Sequence, residues 1–151
     1  MRKNIAFILI FIVINVACGC SAHKSGEIDF YSTDEQVYEI ETKYCQICYP
    51  QKWENEVDIV ISEESPYTVH FSTAIGEKEV KLFDIIFDEE DGFKIGMLQS
   101  DKEIHDLYIV NYDFKRENFS EEDYFKLCEM CDDVNVIISK LLESNNFELA
   151  N

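Results

Sequence analysis

The sequence predicts an α+β domain: a mostly antiparallel meander sheet of about 6–7 strands packed against one long C-terminal amphipathic helix. Three observations carry this expectation. From residue 27 to residue 112 the apolar residues alternate or run in blocks of strand length. The breaks between those blocks are short and rich in turn residues, which joins neighbouring strands antiparallel. After Asn118 the apolar spacing changes to three and four, the period of a helix face.

The elements follow in order. Residues 28–31 suit a short first strand, and Thr33, Asp34 and Glu35 a turn or the start of a brief helical one. Residues 37–49 hold alternating stretches, with Ile40, Tyr44 and Cys48 at even positions and Cys45, Ile47 and Tyr49 at odd ones. Pro50 ends the run because it has no N–H for a ladder. Trp53 follows in a polar loop, 51–56. Residues 57–61 are a strand closed by the turn Glu63-Glu64-Ser65-Pro66. Residues 67–73 place Tyr67, Val69 and Phe71 on one face and Thr68, His70 and Ser72 on the other. Gly76 marks a turn. Residues 79–87 are the most hydrophobic strand, expected at the centre with both faces covered. An acidic turn, 88–92, leads to strands at 93–98 and 104–112, split by Ser100, Asp101 and Lys102. Ser120 is an N-cap, followed by the carboxylates Glu121, Glu122 and Asp123, which the helix dipole favours. Tyr124, Leu127, Cys128, Cys131, Val134, Ile138 and Leu141 form the apolar stripe of a helix of about six turns. Asn145 and Asn146 end it, and 147–149 offer a last short strand.

The first twenty residues are of a different kind. Arg2 and Lys3 precede an unbroken apolar run, 5–14, and then small residues and cysteines. That is the three-part plan of a secretory signal peptide. A bilayer span needs about 20 apolar residues, more than this run supplies. A core helix would show a polar face, and this one shows none. The end of the run resembles a bacterial lipobox, which places a small residue before the cysteine that becomes the lipidated N-terminus. Ala17-Cys18 fits, with Val16 before it, although Asn15 departs from the usual leucine; Gly19-Cys20 is the second register. The resemblance implies lipidation at Cys18, or alternatively Cys20, with palmitate-type acyl chains. Two or more such chains anchor stably. The expected organisation is a lipoprotein signal peptide at 1–17, a lipidated tether at 18–26 and an acidic α+β domain at 27–151, on the extracytoplasmic face of a bacterial cell membrane. A plain signal peptide followed by release is the alternative.

The whole chain carries 13 basic and 31 acidic residues, a formal charge of −18. Without residues 1–17, which hold Arg2 and Lys3 and no acid, 11 basic residues face 31 acidic ones, for −20. Such a surface repels nucleic-acid backbones and anionic lipid head groups, so membrane contact falls to the anchor. Cationic partners and Ca²⁺ remain compatible with it.

Cys45-x-x-Cys48 and Cys128-x-x-Cys131 are formally a Cys₄ set. Zinc ribbons bring such pairs much closer in sequence, on tight knuckle turns. In a regular strand Cys45 and Cys48 point to opposite faces, and Cys128 and Cys131 fall on the apolar helix face, where cysteine packs as a small hydrophobe. A disulfide between strand and helix suits an exported chain, with free buried thiols as its equal, and no pairing follows. No metal and no cofactor are expected. His23, His70 and His105 are isolated, and no nucleophile elbow, P-loop or dinucleotide fingerprint is present. Residues 88–92 lack the glycine and glutamate positions of an EF-hand loop. Tyr44, Tyr49, Trp53, Tyr67 and Tyr108 suit a ligand groove or a core with hydroxyls at its rim.

Tyr49-Pro50-Gln51-Lys52-Trp53, the Leu82-Phe83-Asp84-Ile85 strand and the Asp133-to-Ile138 helix segment resemble, in that order, small uncharacterised lipoproteins of Firmicute bacteria. The tyrosine–proline–tryptophan start and the late helix are also similar to PsbP/Mog1-like α/β sandwiches. Neither resemblance supplies catalytic residues. The expected function is a non-enzymatic binding module at the cell envelope for an unknown protein or small ligand, with Trp53, Tyr49 and Tyr44 as its contact patch. The alternatives are an envelope hydrolase using two carboxyl groups about 5–10 Å apart, one with a raised pKa, and a cysteine-based metal or redox protein.

Overall fold

A computed structural model describes residues 36–144 and 146–150. The lipidation candidates Cys18 and Cys20, the tether, His23, the strand expected at 28–31 and Asn145 lie outside the described residues. Strands β1 (Val37–Glu41) and β2 (Gln46–Pro50) pair as a two-stranded sheet. Strands β3 (Val57–Ser62), β4 (Thr68–Ile75), β5 (Lys78–Phe87), β6 (Phe93–Ser100), β7 (Glu103–Asn111) and β8 (Phe147–Leu149) form a second sheet in the order β3-β4-β5-β7-β6-β8. Helices α1 (Glu121–Asp132) and α2 (Val134–Glu143) precede β8. The class is α+β, and the strand pairs are antiparallel.

Three features depart from the expected plan. The alternating stretch 37–49 is a hairpin. Thr42 reverses the chain: its hydroxyl accepts from the N–H groups of Tyr44 (3.2 Å) and Cys45 (3.0 Å) and donates to the Cys45 carbonyl (2.6 Å). A threonine side chain bonding its own neighbourhood is a local competitor of the ladder, and periodicity does not reveal it.

The large sheet is not a meander. β7 lies between β5 and β6, so the link 88–92 carries the chain across β7. Asp88 explains why the chain does not turn straight back on β5. Its N–H donates to the Asp106 carbonyl (2.8 Å), and its carboxylate accepts from the Asp106 N–H (3.0 Å) and meets His105 Nδ1 (2.6 Å). Those bonds bind the end of β5 to β7.

The helical stretch from 121 to 143 is interrupted at Asp133. Its carboxylate accepts from Trp53 Nε1–H (3.0 Å) and lies 2.9 Å from Lys52 Nζ. The N-terminus of α1 is capped as expected, the Ser120 hydroxyl accepting from the Asp123 N–H at 3.1 Å.

One core joins the layers. Val69, Phe71, Phe83, Ile85, Leu107 and Ile109 of the sheet share it with Leu127, Met130, Ile137 and Leu141 of the helices, and Ile47 brings the hairpin in. β5 is buried without a break from Leu82 to Phe87. A bulge where Phe71 pairs Phe83 but Ser72 pairs Lys81 leaves Leu82 extra, so Leu82 and Phe83 are both buried. No helix among the described residues is long and apolar enough to cross a membrane.

Candidate functional site

The hairpin turn holds Tyr44 against the far end of the large sheet. Its ring centroid lies 5.0 Å from Phe87, 5.2 Å from Tyr67 in an edge contact, and 4.1 Å from the ring of His105. Tyr67 and Phe87 meet edge-on at 5.5 Å. The Lys43 N–H donates to the Tyr67 hydroxyl (3.1 Å), which ties the hairpin to the start of β4. Tyr44, Tyr67 and Phe87 form one wall of a cleft of about 520 Å³. The turn carrying Glu63, Glu64, Ser65 and Pro66 also lines it, as do Asp88 and Glu89. Lys43 Nζ sits 5.0 Å above the Tyr44 ring and 3.4 Å from its hydroxyl.

His105 lies behind this wall and is only 7 % exposed. Its Nδ1 meets Asp88, and its Nε2 is 3.8 Å from a Glu103 carboxylate oxygen. Four carboxylates and one ammonium line the cleft. Aromatic faces carry negative charge density, so rings and carboxylates together favour a cation.

A second cleft, about 500 Å³, opens between β1 and β3 and is lined by Tyr38, Ile40, Tyr49, Trp53 and Asp58 among others. The expected patch of Tyr44, Tyr49 and Trp53 is thus divided. Tyr49 stacks on Trp53 at 6.4 Å and shares this second cleft, while Tyr44 faces the first. Trp53 is not an exposed contact residue: it is 2 % exposed and packs on Phe71 and Phe83. Pro50 opens a 3₁₀ turn, Gln51–Trp53, that rolls the indole inward, whereas the polar neighbours Gln51, Lys52 and Glu54 had suggested a surface loop.

Cys45 and Cys48 are free thiols in this structure, so the expected strand-to-helix disulfide is not formed through them. Burial pushes the Cys45 thiol up to about 11, outweighing the hydrogen bond from Thr42, and burial also raises Cys48. Protonated thiols are poor nucleophiles and poor metal ligands. Cys131 is buried with its Sγ 4.0 Å from the Leu82 carbonyl, and Cys128 is half-buried on α1. Among the described residues no group of three or more metal-binding side chains converges. His70 is half-buried beside Asp84 on β5. Nδ1 and Oδ1 are 2.9 Å apart, at ion-pair distance but out of hydrogen-bond alignment.

Tyr67 was legible as a groove residue. Phe87, Asp88 and His105 were not, because only the β5–β7 pairing brings 88 beside 105. No family model matches the chain, nor does any curated protein or solved structure.

Proposed function

We propose that this protein is a bacterial envelope lipoprotein, held by acyl chains on Cys18, or on Cys20, at the extracytoplasmic face of the membrane. Its folded domain binds a cationic group of a partner protein or small ligand in the Tyr44–Tyr67–Phe87 cleft. The carrying observation is that an ammonium, that of Lys43, already rests on the Tyr44 ring in a cleft lined by four carboxylates. A cation over an aromatic face gains roughly 0.5–2 kcal/mol. The carboxylates add long-range attraction that falls with salt. Single contacts of this strength give weak binding, and a surface anchor compensates by raising local concentration. The lipobox-like sequence around Cys18 and the resemblance to small Firmicute lipoproteins support the location.

Two measurements test this. The intact mass of protein recovered from membranes is expected to begin at an acylated Cys18 or Cys20; a full-length or simply cleaved mass removes the anchor. The isolated domain, titrated with arginine amide and with tetramethylammonium at constant ionic strength, is expected to shift the NMR signals of Tyr44 and Tyr67. Tyr44→Ala should weaken binding by about tenfold, the equivalent of about 1.4 kcal/mol, while Tyr44→Phe keeps the ring and most of the affinity. Equal shifts with sodium chloride alone would sink the cationic reading.

The hydrolase alternative asks for a raised carboxyl group in a cleft. Asp132 has such a carboxyl group, raised by partial desolvation and then by Asp133 and Glu129. It sits at the end of α1 and lines neither cleft described above. The geometry therefore favours binding.

A further inference from the structure

The cations of this chain are scarce, and their pairing is uneven. Lys52, Lys94, Arg116, Lys126 and Lys140 each lie within ion-pair distance of a carboxylate. With 31 acidic residues in the chain that is the ordinary outcome. Among the described residues Lys43, Lys78, Lys81, Lys102 and Lys115 have no carboxylate at that distance, and three of them, Lys78, Lys81 and Lys115, line one cleft of about 330 Å³. The cleft lies between the start of β5 and the segment that runs from β7 into α1. It is at the opposite end of β5 from the cationic-ligand cleft, and independent of it.

We propose that this cleft is an anion site that takes a phosphate or phosphate-ester group on Lys78, Lys81 and Lys115.

Two of the three ammonium groups are seated on rings instead of acids. Lys81 Nζ lies 5.3 Å from the Tyr112 ring centroid, and Lys78 Nζ 5.3 Å from that of Phe119. A ring holds a cation without neutralising it, so the charges remain available to a ligand. Tyr112 is itself fixed, its hydroxyl donating to the buried Asp84 carboxylate at 2.8 Å. Burial and that carboxylate push its pKa up to about 12, so the phenol stays neutral and adds no competing negative charge. Glu79 and Asp113 also line the cleft, which leaves three positive charges against two negative ones. In a chain at −18 this is a local reversal of sign. A monocarboxylate would engage one lysine at a time. A tetrahedral polyanion engages several point charges together, the mode in which lysine binds phosphate. The phosphate could come from a soluble ester or from a lipid head group, and the two are separable by experiment.

The test uses pyrophosphate and inorganic phosphate with the soluble domain at constant ionic strength. Amide signals around Lys78, Lys81, Lys115 and Phe119 are expected to shift saturably, and acetate at equal ionic strength to leave them unmoved. Lys81→Gln and Lys115→Gln, both exposed positions, should each weaken pyrophosphate by about fivefold to tenfold. Lys102→Gln, which removes a lysine on the β6–β7 turn outside the cleft, should not change it. Melting temperatures of all variants control for folding. Equal weakening in Lys102→Gln, or shifts reproduced by chloride, would overturn the site as a mere charge effect. Binding to phosphatidylglycerol vesicles but not phosphatidylcholine vesicles, lost in the same two variants, assigns the phosphate to a lipid head group. Binding to pyrophosphate with no vesicle binding assigns it to a soluble ester. Binding to neither overturns the proposal.

Discussion

Trp53→Ala is expected to destabilise the domain by about 3–5 kcal/mol, the range for deleting a large buried aromatic. The indole is 2 % exposed and lies 6.0 Å from Phe71, 6.2 Å from Phe83 and 6.4 Å from Tyr49, measured between ring centroids. It also joins the chain's two halves, because its Nε1–H donates to Asp133 at the break between α1 and α2. Trp53→Phe keeps a ring in the site and loses the donor, so its cost should be smaller, about 1–3 kcal/mol, as for a hydrogen bond to a charged group. Asp133 keeps Lys52 as a partner in either variant. Urea unfolding monitored by circular dichroism measures both costs, and an unchanged slope shows that the same surface is being exposed. A Trp53→Ala cost below about 1 kcal/mol would mean that the indole is peripheral, contrary to its burial. The consequence for function is practical. A loss of binding in Trp53→Ala reports unfolding, so the ligand question belongs to Tyr44, whose ring is half-buried at the cleft wall.

Gly92→Ala is the second large effect, and Gly76→Ala is its control. Both glycines have a left-handed backbone, φ +73° at Gly92 and +63° at Gly76. An alanine at either position meets the Cβ penalty of that conformation, about 1–2 kcal/mol. At Gly76 nothing lies within 4 Å of the added carbon, so the cost ends there. At Gly92 the carbon would fall 2.2 Å from the Ile109 carbonyl oxygen and 2.9 Å from Val110 Cγ2. The obstruction is strand backbone, which cannot swing aside as a side-chain tip would. Overpacking of this kind adds about 1–3 kcal/mol, for a total near 3–5. The difference between the two variants isolates the close approach of the crossing link to β7. Equal melting temperatures for the two would show that the link does not pass there.

Both residues mark where the sequence stops being a sufficient guide. The motif around Trp53 is visible in the chain, but its direction is not. Polar residues on either side read as a loop, and a loop tryptophan reads as a contact. The 3₁₀ turn after Pro50 sends the ring into the core instead, and the acceptor that receives it, Asp133, is 80 residues away. Gly92 reads as a simple turn glycine. That it sits against β7 follows from β7 pairing with β5, which no local signal encodes.

Some properties were determined by the sequence alone. The period of two through β4 and the apolar block of β5 specify strands because alternate side chains face opposite sides of a sheet. The change of period after Ser120, with an oxygen-bearing cap and acids in the first turn, specifies a helix start because unpaired N–H groups and the helix dipole require those partners. The acid surplus and the apolar run 5–14 ahead of Cys18 and Cys20 are compositional, and no fold is needed to read them. Tertiary structure decided the rest: the hairpin at Thr42, the placement of β7 beside β5, the burial of Trp53, and the two clefts of opposite charge at the ends of β5. The physical reason is range. Periodicity and capping act over one turn or one pleat and say which face a residue occupies. Which neighbour covers that face is chosen by contacts between distant segments, and the candidate sites are built from those contacts.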